Sequence, residues 1–186
     1  MQTLTVPVRH KLTVNDYHKM AEAGILTEDD RVELIEGELI DMAPIGSLHA
    51  DYVDRLAELL ISRIGGKFRV RIQNPIQLDD YSEPEPDVVI AQNRSYQEAH
   101  PGPQDILLLI EVADTTLKYD RDIKIPLYAR CGIPEVWLID VQKQRLEIHR
   151  QPSQEGYRQI LLPANIEAVS PLLTPEIAIR LAELWY

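Results

Sequence analysis

Two runs of this chain, Asp87-Val88-Val89-Ile90-Ala91 and Ile106 to Val112, are almost continuously apolar, yet each carries one acid. Strands with no polar alternation belong in the middle of a sheet covered on both sides, because only there are both faces removed from water. The expected fold is therefore α/β, a sheet flanked by helices.

The remaining segments supply those layers. Thr13, followed three residues later by Asp16, starts a short helix over 14–23 that ends at Gly24. Residues 31–35 and 38–42 flank Glu36-Gly37 as an N-terminal β-hairpin, and Pro44 stops its second strand. Ser47 is expected to cap a longer helix with Val53, Leu56, Leu59, Leu60 and Ile64 on one stripe and Gly65-Gly66 as terminator. Phe68, Val70 and Ile72 alternate with charged residues as a strand with one wet face, which Ile76 to Leu78 is expected to extend or pair with.

Tyr81 to Pro86 reads as a rigid acidic connector into the first apolar strand, and a polar loop runs to Pro103. A helix is expected from about Leu117 to Cys131, closed by Gly132 and Pro134, then strands over 136–139 and 146–150. Ala178 to Leu184 reads as a terminal helix. With no repeat and no linker, the chain is expected to be one domain over 1–186, its core about 12–150, with C-terminal strands and a short helix in 155–186.

Composition narrows the function. A 45% hydrophobic content over 186 residues can bury a sizeable core, and the lone Cys131 can form neither an internal disulfide nor a multi-thiolate metal site. No leader-like apolar run follows Met1, and the longest apolar run, Ile106 to Ile110, is far short of the roughly 20 residues of a membrane helix. A cytoplasmic protein with no membrane partner is expected. The formal charge of −11, from 19 basic and 30 acidic residues, opposes long-range attraction to a phosphate backbone. Arg63, Lys67, Arg69 and Arg71 form the one basic cluster, and a charged edge strand that discourages aggregation is the favoured reading of it.

The chemistry lies in the acids on the apolar strands. Glu111 projects to the same side as Leu107 and Leu109, where an ionised carboxylate needs a cation, a hydrogen-bond donor or a metal. Asp87 enters the other strand on the face of Val89 and Ala91, so neighbouring strands would bring the two acids together. A divalent cation makes such a pair favourable, and oxygen ligands suit magnesium or manganese. Lys124, 13 residues beyond Glu111 on the next helix, can return an ammonium to the cluster and hold a nucleophilic water. Each residue has a plainer alternative: Asp87 as a turn terminator, Glu111 as the partner of a core arginine, Lys124 paired with Asp120 on a solvated helix face.

Glu85-Pro86-Asp87-Val88-Val89, Ile110-Glu111-Val112, Tyr119 to Lys124 and Leu127 to Asp140 resemble a bacterial restriction-endonuclease-like family of the PD-(D/E)XK nuclease superfamily. Residues 33–38, Pro44 and His49 extend the resemblance over about 12–150. It implies a mixed β-sheet flanked by helices, Mg2+ or Mn2+ held by Asp87 and Glu111, and Lys124 as the catalytic lysine in place of the superfamily's strand lysine, since Ala113 stands two residues after Glu111. By the same resemblance Glu33 completes the metal shell, His49 contacts a phosphate or water, and Tyr128 orients Lys124, although a hairpin glutamate, a capping histidine and a packing tyrosine are the competing readings. Asp114 departs from the family's usual loop, either disturbing the site or adding a ligand. The implied function is a magnesium-dependent endonuclease acting on DNA, with a homodimer as the expected assembly. An inactive nuclease fold serving as a nucleic-acid-binding or assembly module, and a hydrolase of a small phosphoester, are the alternatives.

Overall fold

The computed structural model describes residues 8–27 and 29–185. Its centre is a six-stranded mixed sheet in the order β3-β4-β5-β6-β7-β8, where β3 is Phe68–Ile72, β4 Val88–Gln92, β5 Ile106–Ala113, β6 Glu135–Asp140, β7 Arg145–Ser153 and β8 Gly156–Leu161. The two apolar runs are neighbours, antiparallel, with Val88 opposite Ile110. β5 and β6 are parallel, a pairing no tight turn can join, so a crossover of helix spans the gap. Pro84 and Pro86 lack the N–H a ladder needs, and β4 accordingly begins only after them.

Each sheet face carries its own core. On one, helix α2 (Ser47–Ile64) and the C-terminal segment with Ile177, Ile179 and Trp185 cover Val88, Ile90, Leu108, Ile110 and Trp137. On the other, Ile35, Ile76 and the helix residues Ile125 and Tyr128 cover Val89, Leu109, Ala113 and Leu138. Glu111 falls between Leu109 and Ala113 and so points into this second core.

Helix α1 (Val14–Glu22) has the expected reciprocal cap between Thr13 and Asp16. The hairpin of β1 (Val32–Ile35) and β2 (Glu38–Asp41) turns on Glu36 and Gly37, both with positive φ, at 49° and 82°. That conformation matches the twist of the strands, and Gly37 also lets Lys11 approach closely enough that a Cβ would lie 2.6 Å from the Lys11 side chain. The hairpin is separate from the main sheet and bonds through Leu34 to Glu83 of the acidic connector.

Several local expectations are corrected. Gly46, not Ser47, is the N-cap of α2, with no side-chain cap bond. Ile76 and Leu78 do not lengthen or pair with β3; their N–H groups bond to Pro84 and Ser82 across the connector. Residues 178–184 hold no α-helix, but β10 (Ile179–Arg180) paired with β9 (Ala168–Val169) and a short 3-10 turn, Leu181–Glu183. Burial there alternates through Ile177, Ile179 and Leu181, which is the period of a strand.

β3 lies at the sheet edge, but its surrounding basic residues do not make one patch. Arg63 pairs with Glu183 at 2.7 Å, Lys67 lies 3.7 Å from Glu176, and Arg71 stacks on Tyr96. Among the described residues no helix is long and apolar enough to cross a membrane.

Candidate active site

Asp87 stands one residue before Val88 and Glu111 one residue after Ile110, so the β4–β5 register places the two acids across from each other. Asp87 is fixed by three neighbours. Its Oδ2 accepts the Val112 N–H at 2.8 Å, Gln73 donates to Oδ1 at 3.3 Å, and His49 Nε2 lies 3.0 Å from Oδ1. His49 reaches it from the first turn of α2, and the bond to Asp87 raises its pKa against the opposing effect of burial.

Lys124 arrives on the crossover. Leu117–Tyr119 (α3), Asp120–Lys124 and Ile125–Arg130 (α4) follow one another without a break, and the middle five residues form a π turn in which Ile125 N–H bonds to Asp120 C=O. Pro126 supplies the reason. It has no N–H to continue the α ladder, and its ring crowds the carbonyl four residues earlier, which favours the wider turn just before it. The Lys124 ammonium is thereby set 2.9 Å from Glu111 Oε1 and 3.3 Å from Glu33 Oε2. From the next turn Tyr128 donates its hydroxyl to the same Glu111 oxygen.

These groups are held far from water: Glu111 is 3% and Lys124 5% exposed. Burial pushes the Glu111 carboxyl up to about 8, with Asp120 and Asp87 adding to the rise and Lys124 opposing it. The carboxyls of Asp120 and Glu85 are raised too, burial first in each case. Burial pulls the Lys124 ammonium down, but Glu111, Tyr128 and Glu33 outweigh it and keep the ammonium charged well above its ordinary value. The group opens into a cavity of about 340 Å³ between the β2–α2 loop and the start of the crossover. Glu33, Asp41, Glu85, Asp87, Glu111, Asp114 and Asp120 bring carboxylates to its lining, against the strong bases Arg31 and Lys124, while Ile40, Met42, Pro44 and Ile45 form an apolar wall.

A hard cation fits this donor set by its chemistry. The ligands on offer are oxygens, and the buried carboxylates outnumber the positive charges beside them. No three His, Cys, Asp or Glu side chains among the described residues converge as a ready-made cage. Magnesium does not need one, because it keeps several waters and takes only one or two protein carboxylates.

Asp87, Glu111, Lys124, Glu33 and His49, all expected from sequence, therefore share one cavity. Glu33 faces Lys124 and accepts the Glu85 N–H at 3.1 Å. Asp114 lies at the rim, where Gln142 donates to it at 2.7 Å. Tyr128 packs at the helix–sheet interface, as its competing reading expected, and in addition donates its hydroxyl to Glu111. Asp120 does not lie on a solvated face; it is buried and accepts the Thr116 hydroxyl at 2.6 Å. Two features escaped sequence reasoning, Asp120 as a cavity acid and the π turn, and Pro126 inside an otherwise helical run was the available signal for the second.

A mixed sheet sandwiched by helices, with two acids on its central strands and a lysine returning from the crossover, defines a restriction-endonuclease-like protein. The family model described as "Putative restriction endonuclease" (Uma2) matches residues 14–182, and the chain belongs to that family. Among solved structures, the crystal structure of a "putative nuclease belonging to DUF820" from Anabaena variabilis superposes with a TM-score of 0.71 at 17% identity, covering 94% of this chain and 97% of that one. It shares the fold. No curated protein matches the chain in sequence.

Proposed function

We propose that this protein is a metal-dependent endonuclease that hydrolyses phosphodiester bonds in DNA, with Asp87 and Glu111 as ligands of magnesium or manganese and Lys124 as the group that holds the attacking water. The observation that carries this reading is the buried contact of Lys124 with Glu111, directly across the β4–β5 ladder from Asp87. A surface ion pair needs no such burial. A buried one is costly to build and contributes little net stability, so its presence favours a chemical role.

Each group has a separate task. Val112 N–H and His49 aim Asp87, and Tyr128 with Lys124 restricts the rotamer of Glu111. Glu33 holds Lys124 from the other side and is the candidate for completing a metal shell. An ammonium has three N–H groups, so Lys124 keeps one for water or a phosphoryl oxygen while facing two carboxylates. A bound divalent ion supplies Lewis-acid polarisation of the phosphoryl group and lowers the pKa of water. For duplex substrates the proposal includes a homodimer, one copy per strand.

The acid-rich lining favours a second reading, a hydrolase of a smaller phosphoester, because a long polyanion would have few bases to meet. Incubating the purified protein with magnesium or manganese and with plasmid, oligonucleotide and mononucleotide substrates separates the two. Cleavage of DNA that is lost in Lys124→Ala, with divalent-ion binding retained by calorimetry, is the expected result. A parent protein that cuts no DNA, or a Lys124→Ala protein that still cuts it, overturns the first reading, and sedimentation of the active species tests the dimer.

A further inference from the structure

Tyr119 closes α3 and forms part of the cavity wall, beside the acid cluster. Its hydroxyl oxygen is buried and has no hydrogen-bond partner among the described residues. A buried hydroxyl in that state is unfavourable and rare, and it calls for an acceptor from outside the protein's own groups or for a chemical role.

Acceptors are not scarce around it. Burial, with Glu33, Asp120 and Glu111 adding to it, pushes the phenol up to about 12, so it stays a neutral donor at physiological pH. Yet none of these three carboxylates is its partner, and each receives other donors. Glu111 receives Lys124 and Tyr128, Glu33 receives Lys124 and the Glu85 N–H, and Asp120 receives Thr116. No acceptor among the described residues satisfies Tyr119, which leaves that role to the contents of the cavity.

We propose that Tyr119 is a substrate-binding residue whose hydroxyl donates to a non-bridging oxygen of the phosphoryl group, next to Lys124. The assignment rests on the nuclease reading for the identity of the substrate. An anion entering a cavity lined with carboxylates must bring its oxygens to donors. Lys124 has one N–H beyond those its two carboxylates occupy, which serves one direction. Tyr119 serves a second from the opposite end of the π turn, and it does so without adding charge.

Tyr119→Phe removes the oxygen alone. Thymidine 5′-monophosphate is titrated into parent and variant by calorimetry in magnesium, and both are melted without nucleotide. Affinity is expected to fall about tenfold, the equivalent of one good hydrogen bond, while the melting temperature does not fall because no protein partner is lost. Equal affinity in the two proteins overturns the assignment, as does a parent that fails to bind at millimolar nucleotide. A lower melting temperature with unchanged affinity gives the hydroxyl a structural partner and overturns it too. Tyr119-dependent nucleotide binding in a protein that cuts no DNA leaves this residue's role standing and removes the nuclease reading. DNA cleavage indifferent to Tyr119→Phe does the reverse.

Discussion

Lys124 reaches Glu111 at 2.9 Å from the far end of a π turn, and neither side chain retains appreciable contact with water. Removing the lysine therefore strands two buried carboxylates, Glu111 and Glu33. Lys124→Ala is expected to cost about 3–5 kcal/mol, seen as a melting temperature lowered by roughly 10 °C in a chain of this size. The loss should be larger above about pH 8, where Glu111 of the parent is ionised beside the ammonium that the variant lacks. A variant that melts like the parent at neutral pH would show that the pair is solvated in solution.

The raised carboxyl of Glu111 gives stability a pH slope. Its pKa of about 8 in the fold exceeds the ordinary 4.5, so folding favours its protonated form. That contribution is complete below the unfolded value and disappears as the pH rises through about 8. A divalent cation favours the ionised form instead. Melting curves in chelator should thus fall from about pH 5 to about pH 9, and magnesium should raise the melting temperature more at the alkaline end. Glu111→Gln should flatten the slope and abolish the magnesium effect. If the parent melts at the same temperature across that range in chelator, Glu111 is already ionised and the carboxyl is not raised.

Much of this was legible before the fold was known, for reasons particular residues make plain. Glu36-Gly37 between two short apolar runs specifies a hairpin, and Gly65 in the left-handed region ends α2 where expected. Asp87 and Glu111 stood out because acids are costly on apolar strands. What was hidden depended on long-range pairing. Nothing local tells that Arg63 meets Glu183, so whether the basic residues of 63–71 form one patch was not legible, although the edge position of their strand was. Asp120 looked like a surface partner because the phase of an ordinary helix was assumed where a π turn exists. The alternating burial of Ile177, Ile179 and Leu181 was present in the sequence, but a short run at a chain end satisfies helix and strand periods alike.

Acid resistance should depend on a different group. Glu147 is held down to about 2 by its contact with His149 first and then by Arg121, whose guanidinium lies 2.7 Å away. A carboxyl depressed in the fold contributes stability above its unfolded value, and loses it as the pH falls toward about 2. Glu147→Gln is expected to destabilise by roughly 1–3 kcal/mol at neutral pH, with the difference from the parent vanishing in strong acid. Chemical denaturation at a series of pH values reads this directly, and a constant gap between the two proteins at every pH would exclude linkage to Glu147.

The π turn is where local sequence and the candidate chemistry meet, and it can be tested through Pro126. Proline in a helix interior forfeits a backbone bond and is unfavourable by about 3 kcal/mol relative to alanine. Stability alone would favour a regular helix here. Such a helix has one residue fewer per turn than the π segment, so it would rotate Lys124 relative to Tyr128 and Ile125, which are anchored in the core below the sheet. π turns recur at functional sites because they place a side chain where an α-helix cannot. Pro126→Ala restores the N–H and removes the ring that crowds the preceding turn. The expected outcome is a melting temperature equal to or above that of the parent, together with DNA cleavage lowered tenfold or more. Activity and stability thus move in opposite directions, which a packing defect would not produce. Equal cleavage by the two proteins would mean that the anchoring of Tyr128 to Glu111, and not Pro126, sets the phase that brings Lys124 to its acid.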